Sequence, residues 1–286
     1  MTITITTSNL NGIRASERKG FEKWVARHVP DVMCMQELRA PQDIIDGFFA
    51  QYAKDYEAAG KIASADRLGT LDQVSDIKGR AGVAIVTDLD VTAKRYGLPG
   101  LDPAPVDTGR WIEADVVANG TPLTVVCIYD HAGDIASPEK MDAKYRFLDA
   151  VMVRMKELAD AAADGGNQVV VAGDFNIAHT ALDIKDAAAN EERNGFTPRE
   201  RAYVDRIVDD LHYVDVTRKL AGDVQGPYTW WTPRGHAYEN DAGWRIDYQF
   251  ATPGIAGKAT AFDIDRTAHW YSRWSDHAPL TITYDI

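Results

Sequence analysis

Eight side chains able to ligate a cation, move a proton or hold a phosphate stand where strand-like runs end. Asn9 follows the Thr2 to Thr7 run, Glu37 follows Val32 to Gln36, and Tyr129 closes Leu123 to Tyr129. Asp174 and Asn176 follow Val169 to Ala172, Asp247 lies inside Trp244 to Ala251, and Asp276 and His277 come just before Thr281 to Tyr284. Singly, each has a plain role: Glu37 as a solvated acid, the asparagines as turn residues, Tyr129 as a core aromatic, His277 as a hydrogen-bonded histidine. If the strands pack into sheets, their ends meet at one rim. One Glu, three Asp, two Asn, one His and one Tyr then supply the oxygen ligands, base and donors that metal-assisted phosphoester hydrolysis requires.

A second constellation is aromatic and basic, running from Tyr228 through Trp230, Trp231 and Arg234 to Gly235, followed by Trp244 and Arg245. Such residues serve either as loop packing or as a wedge and clamp for a base or sugar, with arginines on phosphate. Arg80, Arg110 and Lys144 extend that surface.

The elements that must hold these groups are legible from period. Thr2 to Thr7 alternates Thr and Ile like a strand with one covered face. Val32 to Gln36, Gly82 to Thr87, Trp111 to Val117, Leu123 to Tyr129 and Val169 to Ala172 are β-branched and nearly continuous in apolar character, as strands buried in a layered fold are. Ser137-Pro138-Glu139 opens a helix that ends near Gly165, and Thr197-Pro198-Arg199-Glu200 is a capping box. Shorter helices fit Gly20 to His28 and Pro41 to Tyr52, and Ile62 to Arg80 reads as a long surface loop. Strands and helices intersperse throughout, without a linker, repeat or composition shift, so residues 1–286 are expected to form one domain.

Composition bounds the rest. With 286 residues, 31 basic and 43 acidic side chains, the net charge is −12. That argues against a general polyanion binder but allows a local basic groove. Surface scaling gives about 12,000 Å² folded against about 46,000 Å² unfolded, enough burial without disulfides or structural metal. Cys34 and Cys127 lie in apolar runs and read as buried thiols. With no apolar run long enough to span a membrane and no basic-then-apolar leader, a cytoplasmic location is expected.

On these residues the chain resembles the exodeoxyribonuclease III and apurinic/apyrimidinic endonuclease branch of the endonuclease/exonuclease/phosphatase superfamily. The resemblance runs through SNLNGIRA, MCMQELRA, KGRAGVAI, DTGRWIEADV, KYRFLDA, AGDFNIAHTALDI, NGFTPRERAYVD, GPYTWWTPRG, GWRIDYQFATP and SDHAPL. It implies a four-layer α/β sandwich of two packed mixed β-sheets flanked by helices. It also implies a Mg²⁺- or Mn²⁺-dependent nuclease acting on double-stranded DNA at abasic sites and 3′ ends, with no membrane and no obligate protein partner.

By motif position, Glu37 would be the principal metal ligand, with Asn9, Asp174, Asn176, Asp276 and His277 around the cation. Asp174 would activate water, and Asn176 would orient it or hold the phosphate. His277 would donate to phosphoryl oxygens with Asp247 fixing its tautomer, and Tyr129 would bond the phosphate or the leaving group. Arg80, Arg110, Lys144, Trp230, Trp231, Arg234 and Arg245 would face DNA.

Two departures from the family pattern stand out. Tyr129 is followed by Asp130-His131-Ala132-Gly133, which sets an extra carboxylate where it could repel DNA or bind metal, and Ala81 replaces a bulkier residue. A phosphatase for non-DNA phosphoesters and a DNA-binding relative without catalysis are the alternatives. The aromatic run speaks against the first, and the full set of acids with His277 against the second.

Overall fold

The apolar continuity of Val32–Gln36 has a direct cause: both faces of that strand are covered. Val32 and Cys34 point into one core, and Met33 and Met35 into another. The computed structural model describes residues 1–101 and 104–286. Its strands, in chain order, are β1 (Thr2–Asn9), β2 (Val32–Gln36), β3 (Gly69–Gln73), β4 (Val83–Thr87), β5 (Asp90–Tyr96), β6 (Trp111–Ala118), β7 (Thr121–Tyr129), β8 (Gln168–Asp174), β9 (Val214–Asp215), β10 (Asp247–Ala251), β11 (Ala259–Ile264) and β12 (Leu280–Asp285).

They form two six-stranded sheets, ordered β11-β12-β1-β2-β4-β3 and β5-β6-β7-β8-β10-β9. Both are mixed: β1 with β2 and β7 with β8 run parallel, and the other pairs antiparallel. The sheets pack face to face, with Ile3, Ile5, Val83 and Ile85 of one meeting Val125, Cys127, Val170 and Ala172 of the other. The helices Phe21–His28 and Gln42–Ala58 cover the outer face of the first sheet through Trp24, Ile45 and Phe49. Pro138–Ala163 and Pro198–Asp209 cover the second through Leu148, Val151 and Ile207. This is the four-layer sandwich expected.

Each expected strand is present as one of the eight interior strands. The four not expected are the edge strands β3, β5, β9 and β11. The segment Ile62 to Arg80 is corrected accordingly: it contains β3, whose one buried residue, Leu71, gives no apolar period. Trp244 meets Trp230 in an isolated bridge, and continuous pairing begins only at Asp247. The two cysteines are free and buried, and among the described residues no helix is long and apolar enough to cross a membrane.

Candidate active site

Strand register brings the polar ends together. Asn9 lies opposite Gln36 in parallel β1 and β2, so Glu37 leaves the first sheet beside Asn9. In the second sheet Asp174 lies opposite both Tyr129 and Asp247. The facing rims then touch. Asn9 Nδ2 donates to Asp174 Oδ2 at 2.9 Å, and the Tyr129 hydroxyl donates to Glu37.

Local sequence explains how these side chains arrive. A Cβ on Gly173 would stand 1.9 Å from the Ile128 carbonyl oxygen, so only glycine lets β8 pass β7 and deliver Asp174. Beyond the strand, Asn176 adopts φ 50° and Glu37 φ 56°. Left-handed backbone costs a non-glycine residue about 1–2 kcal/mol, and such positions collect where a side chain must be aimed. Asn176 N donates to Asp174 Oδ1 at 2.8 Å, while its Nδ2 donates to the Asp130 carbonyl at 3.0 Å.

His277 sits among acids. Its Nδ1 is 2.8 Å from Asp247 Oδ2, and its Nε2 is 3.8 Å from Asp174 Oδ2. The Asp247 backbone is anchored by its N–H, which donates to Thr229 Oγ1. Burial alone would lower the imidazole, but Asp247, Asp174 and Asp276 outweigh it and push it up to about 10. Burial raises Asp174 well above the carboxylate range despite the nearby imidazole. Asp276 is held below its usual value against burial, by His277 and by hydrogen bonds from Trp230 Nε1 and Asn11 Nδ2. Burial, then the Glu37 and Asp174 charges, raise the Tyr129 phenol.

These groups open on a recess of about 400 Å³. Glu37, Tyr129, Asp174, Asn176 and His277 make its polar side. Trp230, Trp244 and Ile246 complete the lining, the two indoles edge to face at 5.9 Å. Asp174, Asp247 and His277 offer ligand atoms within 4.8 Å of one another, a group able to hold a metal ion. Asp247 Oδ1 is buried with no hydrogen-bond partner, whereas Oδ2 is committed to His277. Glu37, Asn11 and Asp276 add hard oxygen donors along the recess, the donor set that Mg²⁺ prefers. The residues therefore fit a divalent cation.

All eight strand-exit residues converge here. The DNA-facing expectations divide. Arg80 and Arg234 are exposed, and Trp230 lies on the recess wall. Arg110 is mostly buried, its guanidinium 4.8 Å from the centre of the Tyr129 ring and its Nη1 donating to the Tyr129 carbonyl.

Three expectations are corrected. Lys144 is fully buried, and its Nζ donates to Glu200 at 2.8 Å and to the Asn176 carbonyl at 3.0 Å, so it braces the site from behind. Arg245 is fully buried between Asp183 and Asp215. Trp231 is buried against Tyr238, with its Nε1 on Asp241. Asp130 does not stand beside the phosphate position either: it is fully buried, 3.8 Å from Lys144 Nζ.

Arg39 and Asn11 belong to the site without being among the residues the sequence points to. Arg39 pairs with Glu37 and donates to Asn11 Oδ1 at 2.6 Å. Each stands two residues beyond a strand-exit residue, Glu37 and Asn9, and that spacing was the available signal.

Known proteins show the same organisation. An exodeoxyribonuclease from Bacillus subtilis is 27% identical over 279 residues, covering 97% of this chain and 98% of its own. The structure of an AP endonuclease from Archaeoglobus fulgidus matches with TM-score 0.79 at 27% identity, over 99% of this chain and 100% of that one. A 3′ phosphatase from Neisseria, solved with a product DNA hairpin, matches with TM-score 0.80 at 26% identity over 99% and 100%. The profile of the endonuclease/exonuclease/phosphatase family spans residues 6–277, from the first strand through His277, and the chain belongs to that family.

Proposed function

We propose that this chain is a DNA-repair nuclease that uses Mg²⁺ or Mn²⁺ to hydrolyse phosphodiesters of duplex DNA at abasic sites and 3′ ends. The observation that carries the reading is the meeting of Glu37, Asp174 and His277 in one recess that Trp230 and Trp244 also line. The family relatives named for exodeoxyribonuclease and AP endonuclease activity support it.

Glu37, with Asn9 and Asp276 nearby, would hold a divalent cation, which would supply positive charge against the phosphoryl oxygens. The chain does the rest. Asp174, pinned by Asn9 and the Asn176 backbone, takes a proton from the attacking water on a carboxylate oxygen. Asn176, its amide fixed on the Asp130 carbonyl, orients that water or the phosphate. With Nδ1 committed to Asp247, His277 presents Nε2–H to a phosphoryl oxygen, where negative charge grows as the bond to phosphorus forms. Tyr129 turns its hydroxyl from Glu37 to the phosphate or the leaving oxygen. Trp230, Trp244 and Ile246 receive the apolar edge of a sugar that has lost its base.

The test is cleavage of a 3′-labelled duplex carrying one abasic analogue, with and without Mg²⁺, run beside soluble phosphate esters. Metal-dependent nicking at the lesion is expected. Turnover of the small esters alone rejects the DNA reading.

A further inference from the structure

Exposed apolar residues scattered singly are ordinary, but two adjacent large rings left to solvent on one turn are not. Trp270 is 55% exposed and Tyr271 is 68% exposed, on the turn Trp270–Ser272 just upstream of Asp276. The rings are ordered against one another: His269 stacks on Tyr271 at 5.0 Å, and Trp270 meets Tyr271 edge-on at 6.1 Å.

The turn is anchored to the site. Arg273 Nη1 donates to the Trp231 carbonyl at 3.2 Å, and Trp231 N donates to the Asp276 carbonyl at 3.1 Å. Arg266 and Arg273 both lie over the Tyr238 ring, at 4.6 and 5.0 Å. Between the segment 232–239, which contributes His236 and Glu239, and the residues Trp270 and Arg273 lies a recess of about 280 Å³. Glu239 is its one acid, and Asp241 is engaged by Arg266 and Trp231. Exposed Arg234, next to the lining residue Pro233, and half-buried Arg273 therefore set two guanidinium groups beside this recess.

The ligand chemistry follows from flat exposed rings beside guanidinium groups. Aromatic faces with flanking arginines bind bases by stacking and phosphates by charge. A base inside a duplex has both faces covered by neighbours, so the free face must come from an unpaired one. Seven residues separate Trp270 from His277, at most about 25 Å of extended chain. At about 3.4 Å per step along one strand, the rings lie within roughly seven nucleotides of the reacting phosphate.

We propose that the His269–Tyr271 turn is a stacking platform for unpaired bases of the DNA strand that leaves the active-site recess. The ligand class rests on the nuclease reading above and deepens it. The chain then prefers frayed, gapped or overhanging DNA to fully paired DNA.

The test compares wild type with the double variants Trp270→Ala/Tyr271→Ala and Trp270→Phe/Tyr271→Phe, by fluorescence anisotropy on a labelled single strand and its blunt duplex in EDTA. Stacking contributes about 5- to 150-fold per base, so the alanine variant should weaken single-strand binding at least about 5-fold. Blunt-duplex binding should hardly change, the phenylalanine variant should recover most of the loss, and a 2-aminopurine reporter should lose its quenching. Equal losses on both ligands, no loss at all, or a wild type without single-strand affinity overturns the platform. So does a wild-type dimer in sedimentation that the alanine variant dissociates, which assigns the turn to self-association.

Binding is read without hydrolysis, so the two readings fail separately. Abasic-site cleavage without single-strand affinity overturns only the platform, and single-strand affinity without cleavage overturns only the nuclease reading.

Discussion

Arg245 and Asp247 stand two residues apart and belong to two regions with opposite electrostatics. On one side, Arg245 donates to Asp183 at 2.7 Å and to Asp215 at 3.0 Å, and Arg218 also reaches Asp183, so each charge faces an opposite one. Burial alone would raise the Asp183 carboxyl, but Arg245 and Arg218 hold it down at about 2. On the other side, Asp247, Asp174 and Asp276 surround the single imidazole of His277, and burial wins at Asp174. Matched buried charge is scaffold. Buried acid in excess of its counter-charge marks a place prepared for a cation and an anionic substrate.

The largest expected effect comes from the unmatched side. Asp174→Asn keeps shape and removes the base, so cleavage of an abasic duplex should fall by about 10² to 10⁴-fold. Removing an excess carboxylate should leave the melting temperature equal or higher. Full activity, or a melting temperature well below wild type, breaks the contrast. Arg245→Met should do the reverse. Leaving Asp183 and Asp215 buried without their partner costs about 3–5 kcal/mol, read by urea denaturation. Cleavage per folded molecule should change far less than in Asp174→Asn, and a variant as stable as wild type would show that the pairing is not structural.

Acid sharpens the same comparison with a smaller effect. Asp183 has its pKa lowered from 3.8 to about 2, so its contribution to stability is fully present above pH 3.8 and is lost as pH falls through about 2. At 1.36 kcal/mol per pKa unit, the loss is on the order of 2 kcal/mol. Wild type should therefore show a stability decrease between pH 4 and 2 that Asp183→Asn lacks. Parallel pH dependence in the two proteins would show that Asp183 is not the titrating group.

What could be read in the sequence follows the same division between matched and exposed environments. Val32–Gln36 and Val169 to Ala172 announced themselves because both faces of an interior strand must be apolar. The edge strands could not. Asp90–Tyr96 alternates exposed and half-buried residues, and its inward face is only Val91, Ala93 and Arg95, too short an apolar alternation to announce a strand. The exits of interior strands located Asn9, Glu37, Tyr129 and Asp174, because strand ends in packed sheets share a rim. Side-chain type failed for Lys144 and Arg245. Their partners Glu200 and Asp183 lie 56 and 62 residues away, and a basic residue destined for a buried carboxylate looks the same in sequence as one destined for phosphate.

If Arg80 contacts a DNA phosphate, its loss should release one fewer counterion on binding, since the logarithm of affinity falls with the logarithm of salt by about 0.9 per phosphate neutralised. Arg80 is exposed and lines a cavity of about 440 Å³ with Arg110 and Tyr129, next to the active-site recess. Arg80→Ala should weaken duplex binding by a similar factor for every sequence and reduce the salt slope by about one. Lys144→Met removes the same formal charge from a fully buried site already satisfied by Glu200. It should lower activity by loosening Asn176, whose carbonyl it holds, while leaving the slope unchanged. Binding isotherms across a salt series measure both variants. If Lys144→Met also flattens the slope, the lysine reaches DNA after all, and burial does not separate scaffold from binding surface in this protein.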